Sequence, residues 1–414
     1  MRFILITPIY TASRLTGGGQ RTILVYRALL KLGKVDIVLI SEEVCRNLEE
    51  NLAEFHAEFP EAEHISIIRS TPQFLFKPPS TASRPHRLKY QVSRLIHAVR
   101  PRSHFYSPSK EAKASLHSLL DQNKYNVIVG RYLQATALSG AFSQVQIPIM
   151  VDLDDLDEIV LTSRIQAQGS SVSRKIALRL QLWQTISIVK TLRDRCEHLF
   201  VSTADDLPIL GKRSATVLPN IPFPKDGLTS ISEDFSSKIL LFVGSFGHRV
   251  NREGIEHFAR HCWPHVKDRV PEARLRIVGS GGWETVRDDF EGMAGVEVVG
   301  KVDDLDIEYC KAALCVSPIF EGAGTKIKIL ESLINSRVIV AAAYSVRGFD
   351  NLKIRGVVAV QSDEEMISQC SSLLNNPTLR KSMSHGSQKM IAEHYSLNSV
   401  FDAVKTAFDR VGLL

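Results

Sequence analysis

At 414 residues the chain is longer than one hydrophobic core usually organises, and 44% apolar with 23% charged residues is a soluble globular composition, so two domains are expected. No run approaches the roughly 18 to 20 uninterrupted apolar residues that a bilayer crossing needs, and the six cysteines (Cys45, Cys196, Cys262, Cys310, Cys315, Cys370) contain no C-x-x-C pair, which speaks against a disulfide framework or a zinc site. A formal charge of +6 is modest for this length and does not call for nucleic acid; a cytoplasmic protein is expected.

The run Phe3 to Ile6 is stopped by Thr7-Pro8, too short for a signal-peptide core, and reads as a first buried strand. From there β-branched runs alternate with helix-like stretches, the pattern of βαβ units and parallel sheets. In the first half strands are expected at 2–7, 35–40, 64–68, 125–129, 148–152 and 198–202. After the first strand, Gly17, Gly18 and Gly19 open a helix whose N-terminal amides suit an anion, or simply allow a tight turn. Two segments are strongly basic: Arg84, Arg87, Lys89, Arg94, Arg100, Arg102 and Lys113, then a helical stretch with Arg174, Lys175, Arg179, Lys190, Arg193 and Arg195 beside Leu178, Leu182, Trp183 and Ile186. Such a helix fits an anionic membrane surface at the inner face; the plain alternative is a solvated basic side. Asp152, Asp154 and Asp155 follow the fifth strand, where Asp152 and Asp154 share a side of an extended chain. They suit hydroxyl binding or base catalysis, or capping of the next helix.

The segment 219–237 carries three prolines amid Ser, Gly and Asp and is the expected hinge. Beyond it strands are expected at 238–243, 273–278, 296–299, 313–317, 337–341 and 356–360. Neither glycine-bearing loop contains G-x-G-x-x-G or a P-loop, so neither a dinucleotide nor a simple NTPase is indicated. The most informative stretch is ALCVSPIFEGAGTKIKILESLINSRVIVAA: a buried strand, a loop of Glu321, Gly322, Ala323, Gly324 and Thr325, then a helix with apolar Ile327, Leu330 and Ile334. Gly324, Lys328 and Glu331 fall on its other face. The glycines admit a phosphate to the amides of Gly324, Thr325 and Lys326; Lys326 or Lys328 supplies a charge, and Glu331, deeper by a turn, accepts from a ribose diol. A capped helix with a surface Lys-Glu pair is the alternative.

The run G-x-G-T-K-x-K-x-L-E resembles the donor motif of the retaining glycosyltransferases of family 4, the glycosyl transferases group 1, and GGGQR, VSTADDL with VLPN, ILLFVGSFGHRVNREG, LRIVGSG and VEVVGKVDD follow in the family's order. The resemblance covers essentially the whole chain and is most specific over 238–343. It implies an α/β GT-B fold of two Rossmann-like parallel-sheet domains facing across a cleft: an acceptor domain at 1–222, a linker at 223–237, a nucleotide-sugar domain at 238–395, and a last helix at 396–414 crossing back. It implies that Gly17, Gly18, Gly19, Val302, Gly322, Ala323, Gly324, Thr325 and Glu331 meet the donor; Gly244, Ser245, Arg249 and Glu321 are added as donor contacts from their position beside these, and Asp152, Asp154, Lys326 and Lys328 are the catalytic candidates from their own chemistry. The chain departs from the family where Ala323 stands in place of a first glutamate, and where Gly244-Ser245 and Glu253-Gly254 replace a Gly-Arg and a Lys-Gly. Arg249, Arg252, Lys326 and Lys328 are the substitutes at hand.

The expected reaction moves a sugar from a nucleoside diphosphate sugar to an acceptor hydroxyl of carbohydrate, lipid-linked or protein origin, without cofactor or metal. Polysaccharide or glycoconjugate assembly is the family-level setting, and retention is implied by the resemblance alone. Rivals are a nucleotide-sugar 2-epimerase, which needs no acceptor, and a non-catalytic sugar-nucleotide-binding partner protein, suggested by the missing glutamate and clamp. His248 and His257 read as packing or surface residues.

Overall fold

The computed structural model describes residues 1–14, 16–41, 48–70, 102–143, 146–166, 172–222, 236–290, 292–320, 325–349 and 355–414. The chain divides into two compact units, Met1–Leu218 with Val400–Leu414, and Pro219–Ser399. Most of the expected hinge, the loop Glu321 to Gly324 and the basic positions from Arg84 to Arg100 lie outside the described residues.

The N-terminal unit is built on a parallel sheet of seven described strands: β1 (Arg2–Pro8), β2 (Lys34–Ser41), β3 (Ile65–Arg69), β4 (Val127–Arg131), β5 (Ile149–Asp154), β6 (His198–Val201) and β7 (Ala215–Val217), in the order β3-β2-β1-β4-β5-β6-β7. The C-terminal unit has six: β8 (Ile239–Val243), β9 (Arg274–Val278), β10 (Val296–Gly300), β11 (Leu314–Ser317), β12 (Ile339–Ala342) and β13 (Val357–Val360), in the order β10-β9-β8-β11-β12-β13. Helices cover both faces of such sheets, which is why β1, β4 and β11 are buried at nearly every position and read as continuous apolar runs. The fold is thus α/β, two Rossmann-like parallel sheets. The twelve expected strands are all present. β7 was not expected: three partly exposed residues at a sheet edge leave no apolar run to detect.

Five helices matter below: α1 (Gly17–Leu30), α2 (Val172–Arg193), α3 (Arg249–His257), α4 (Ile327–Ile334) and α5 (Leu397–Arg410). α1 starts at Gly17 because Thr16 is extended and its hydroxyl accepts from the Gly19 amide at 3.1 Å. α5 buries Val400, Val404, Ala407 and Phe408, a helical spacing that points one stripe inward. Phe408 meets Phe3 edge-on at 5.5 Å, and Arg410 donates to the Ala215 carbonyl at 3.1 Å, so the end of the chain is part of the N-terminal unit.

Candidate functional site

Open parallel sheets bind ligands beyond the C-terminal ends of their strands, where the strand order reverses. In the C-terminal unit that point lies between β8 and β11; in the N-terminal unit it lies between β1 and β4.

At the β8/β11 point the chain leaves β8 through Gly244 and Ser245 and enters α3. Asn251, buried on the first turn and a half of α3, donates to the Ser245 carbonyl at 3.1 Å and holds this loop down. A Cβ on Gly244 would sit 2.9 Å from the Asn251 amide, so glycine is needed for that contact. The Asn251 Oδ1 accepts from Lys328 Nζ at 2.8 Å, and the same ammonium lies 4.4 Å from the centre of the Phe242 ring. Lys328 is therefore fixed by an amide oxygen and an aromatic face, with no carboxylate paired to it among the described residues. Burial pushes its ammonium down to about 7, the charge of Lys326 adds to that, and Glu331 opposes it. One turn on, Glu331 is half-buried and accepts from the buried Tyr309 hydroxyl at 3.2 Å. Burial first, and the Glu331 charge second, hold the Tyr309 phenol well above its ordinary value, so it stays a donor.

The helix carrying these residues begins later than expected. Thr325 accepts a 2.7 Å hydrogen bond from Asn220, and Lys326 is extended, so the first helical residue is Ile327. The first turn consequently presents Lys328 rather than Thr325, and the buried stripe is Ile329, Leu330 and Leu333, with Ile327 and Ile334 only partly covered. Lys328 and Glu331 do share a face, three residues apart, as the spacing indicated. Arg249 opens α3 but is ion-paired with Glu253 on the next turn, and Arg252 lies 5.3 Å from the Phe246 ring centre. Val302 packs against the apolar cluster that includes Ile329 and Leu330. Glu321, Gly322, Ala323 and Gly324 lie outside the described residues.

The β1/β4 point is organised differently. Two buried arginines converge on Asp152: Arg21 donates to both its oxygens at 2.8 Å, and Arg131 donates to Oδ2. Arg21 also reaches the Leu218 carbonyl at 2.7 Å. A bulge at the end of β5 brings Asp154 to the same arginines, and it accepts from the Tyr132 hydroxyl at 3.1 Å. Tyr132 and Asp154 both have positive φ, 64° and 57°, a conformation that bulky side chains adopt only when their surroundings enforce it. The catalytic expectation for Asp152 is corrected by this geometry: it has no exposed surface and its oxygens are taken by guanidinium groups, so it acts as an internal counter-ion. Asp154 keeps 14% exposure of its side chain. Desolvation raises its carboxyl, but Arg21 and Arg131 outweigh that and hold it below the usual value. Gly17, Gly18 and Gly19 form the first turn of α1 beside this network; a Cβ on Gly19 would lie 1.7 Å from the Ser13 carbonyl oxygen, a close approach that requires glycine.

Sequence reasoning missed Asn220, Asn251, Tyr309, Arg21, Arg131 and Tyr132. Arg21, Asn220 and Asn251 stood in quoted motifs (GGGQR, VLPN and ILLFVGSFGHRVNREG), but their burial and partners have no sequence signature. A cluster of His257, Cys262 and Asp363 places one ligand-type atom each within 4.8 Å of one another. His257 contacts Asp363 at 2.8 Å and the Cys262 thiol also bonds to it, so the three satisfy one another.

Residues 237–376 match the family described as Glycosyl transferases group 1. An uncharacterized glycosyltransferase of Haemophilus influenzae is 24% identical over 283 residues, 62% of this chain and 76% of that protein. Among solved structures, sucrose-phosphate synthase from Thermosynechococcus elongatus superposes with a TM-score of 0.67 at 13% identity, covering 100% of this chain and 99% of its own. The pneumococcal O-GlcNAc transferase in complex with UDP and GlcNAc gives 0.61 at 10% identity, over 99% and 98%. Residues 237–376 are thus similar to the glycosyl transferases group 1, which supports sugar transfer, and the two parallel-sheet units have the GT-B fold.

Proposed function

We propose that this protein transfers a sugar from a nucleoside diphosphate sugar to an acceptor hydroxyl, with retention, in polysaccharide or glycoconjugate assembly. The observation that carries the reading is Lys328: a desolvated cation with no carboxylate partner among the described residues, at the β8/β11 reversal, one turn from Glu331. A cation in that state is stabilised by an arriving anion far more than a solvated surface lysine would be. A diphosphate against Lys328 and the first-turn amides of α4 restores its charge, and Glu331 accepts from the ribose hydroxyls.

As the bond from the anomeric carbon to the diphosphate breaks, negative charge grows on the leaving oxygen, and Lys328 stabilises it without a metal ion. Lys326 adds a second positive charge. Asn251 orients the ammonium, and Tyr309 orients Glu331. Asp154, held as a carboxylate at the β1/β4 reversal, is a candidate acceptor for a hydrogen bond from the incoming hydroxyl. Retention rests on the resemblance of G-x-G-T-K-x-K-x-L-E to retaining enzymes.

A panel of nucleoside diphosphate sugars tested by thermal shift, followed by product analysis in chelator, checks this. The expected result is stabilisation by one donor class and slow, chelator-insensitive hydrolysis of that donor that releases the α-configured or β-configured sugar of the donor itself. Epimerised donor without an acceptor indicates an epimerase, binding without turnover indicates a non-catalytic partner protein, and no stabilisation by any donor removes the reading.

A further inference from the structure

α2 is a 22-residue helix that is apolar on two sides. One side is accounted for: Thr185 and Val189 are buried, Leu192 packs on the N-terminal unit's core, and Arg193 is anchored to Glu158. The other side is not. Val172, Ile176, Leu180, Trp183 and Ile186 are all exposed, Trp183 at 73%. At about 100° per residue these five positions fall within roughly a third of the helix circumference, so they form one continuous stripe from the start of the helix to Ile186. Exposed apolar side chains scattered singly are ordinary, whereas a contiguous stripe containing a tryptophan marks a docking face.

The charges around the stripe identify what docks. α2 holds Arg174, Lys175, Arg179, Lys190 and Arg193 and not one Asp or Glu. Arg179 and Lys190 are exposed at angular positions inside or beside the stripe, and Lys175 flanks it. Two such faces brought together in a dimer would oppose like charges in a dehydrated interface, which costs free energy. An anionic bilayer offers the complement on both counts: headgroup phosphates for the cations and acyl boundary for Trp183 and its neighbours. No described helix is long and apolar enough to cross a membrane, so this contact lies along the surface.

We infer that the outward face of α2 is a membrane-docking surface that binds anionic lipid with Trp183 and Ile176 inserted at the headgroup boundary. The inference stands on α2 alone and does not depend on the transfer reaction. Its geometry gives it a specific reporter, because the chain has three tryptophans and the other two, Trp263 and Trp283, are buried.

The test uses the full chain with vesicles of phosphatidylcholine alone or mixed with phosphatidylglycerol. With anionic vesicles the protein should co-sediment, its tryptophan emission should shift to the blue, and brominated acyl chains should quench it; neutral vesicles should do none of these. Trp183→Phe should keep most of the sedimentation while abolishing the spectral change. The triple change Ile176→Ser, Leu180→Ser and Ile186→Ser should weaken binding by roughly tenfold or more, and Arg179→Gln with Lys190→Gln should weaken it and flatten its salt dependence. Unchanged circular dichroism in each variant shows that folding is intact. Sedimentation that survives the triple change, emission that stays unquenched, or a solution dimer that protects Trp183 in the absence of lipid would each overturn the inference.

Discussion

The two sheets reverse their strand order at equivalent places, yet the chemistry there is opposite. At β1/β4 two buried guanidinium groups meet two carboxylates, and every charge has a partner inside the unit. At β8/β11 a half-buried lysine meets an amide oxygen and a ring, with no carboxylate paired to it among the described residues. The first arrangement is electrostatically closed and serves to fix a strained backbone around Tyr132 and Asp154. The second has a deficit that an anion from outside would fill. A buried charge identifies a ligand site through what is missing around it, not through burial alone.

The largest expected effect breaks the closed network. Asp152→Ala leaves Arg21 and Arg131 in the interior with only Asp154 to share between them and should destabilise the N-terminal unit by about 3–5 kcal/mol in denaturant unfolding. A change within about 0.5 kcal/mol, the range of ordinary surface substitutions, would show that the comparison is wrong. Lys328→Met is the counterpart. It should lower kcat by about 10²–10³-fold, the scale for removing one preorganised charge stabiliser, while leaving the thermal midpoint at pH 7 at or above that of the wild type.

The sign follows from the titration of Lys328. Its ordinary value is 10.5 and in the fold it is lowered to about 7, so between these the unfolded chain binds more protons. The lysine therefore opposes folding fully at and below about pH 7, and that penalty is relieved as the pH rises toward 10.5. Binding a diphosphate raises the value again. At pH 8 complex formation should take up close to one proton, about 0.9 for a group titrating near 7, read from calorimetry in buffers of different ionisation enthalpy. Absence of uptake, or its persistence in Lys328→Met, assigns the anion to another cation.

Smaller changes sharpen the picture around Glu331. Glu331→Ala should weaken nucleotide binding by about 1–3 kcal/mol, the worth of charged hydrogen bonds, and unchanged affinity in calorimetry would detach it from the ribose. Tyr309→Phe removes only the 3.2 Å hydrogen bond that orients Glu331; it should cost about 0.5–1.5 kcal/mol in the same measurement. An effect as large as that of Glu331→Ala would mean the phenol acts on the ligand itself.

Strand after strand was readable from the chain because both faces of each parallel sheet are covered, which forces runs such as FILI and LLFV to be apolar throughout. The pairing of Lys328 with Glu331 on one face was readable too, since helical periodicity alone sets it. What periodicity does not carry is a partner distant in sequence. α4 starts at Ile327, and Thr325 ahead of it is held by Asn220, which lies 105 positions away. Asp152 became a counter-ion through Arg21, 131 positions away. Residue identity and spacing determined the two-unit α/β architecture and the family resemblance. Only the tertiary structure decided which charges are compensated, because compensation depends on which side chains the folded sheets bring within hydrogen-bonding distance of one another.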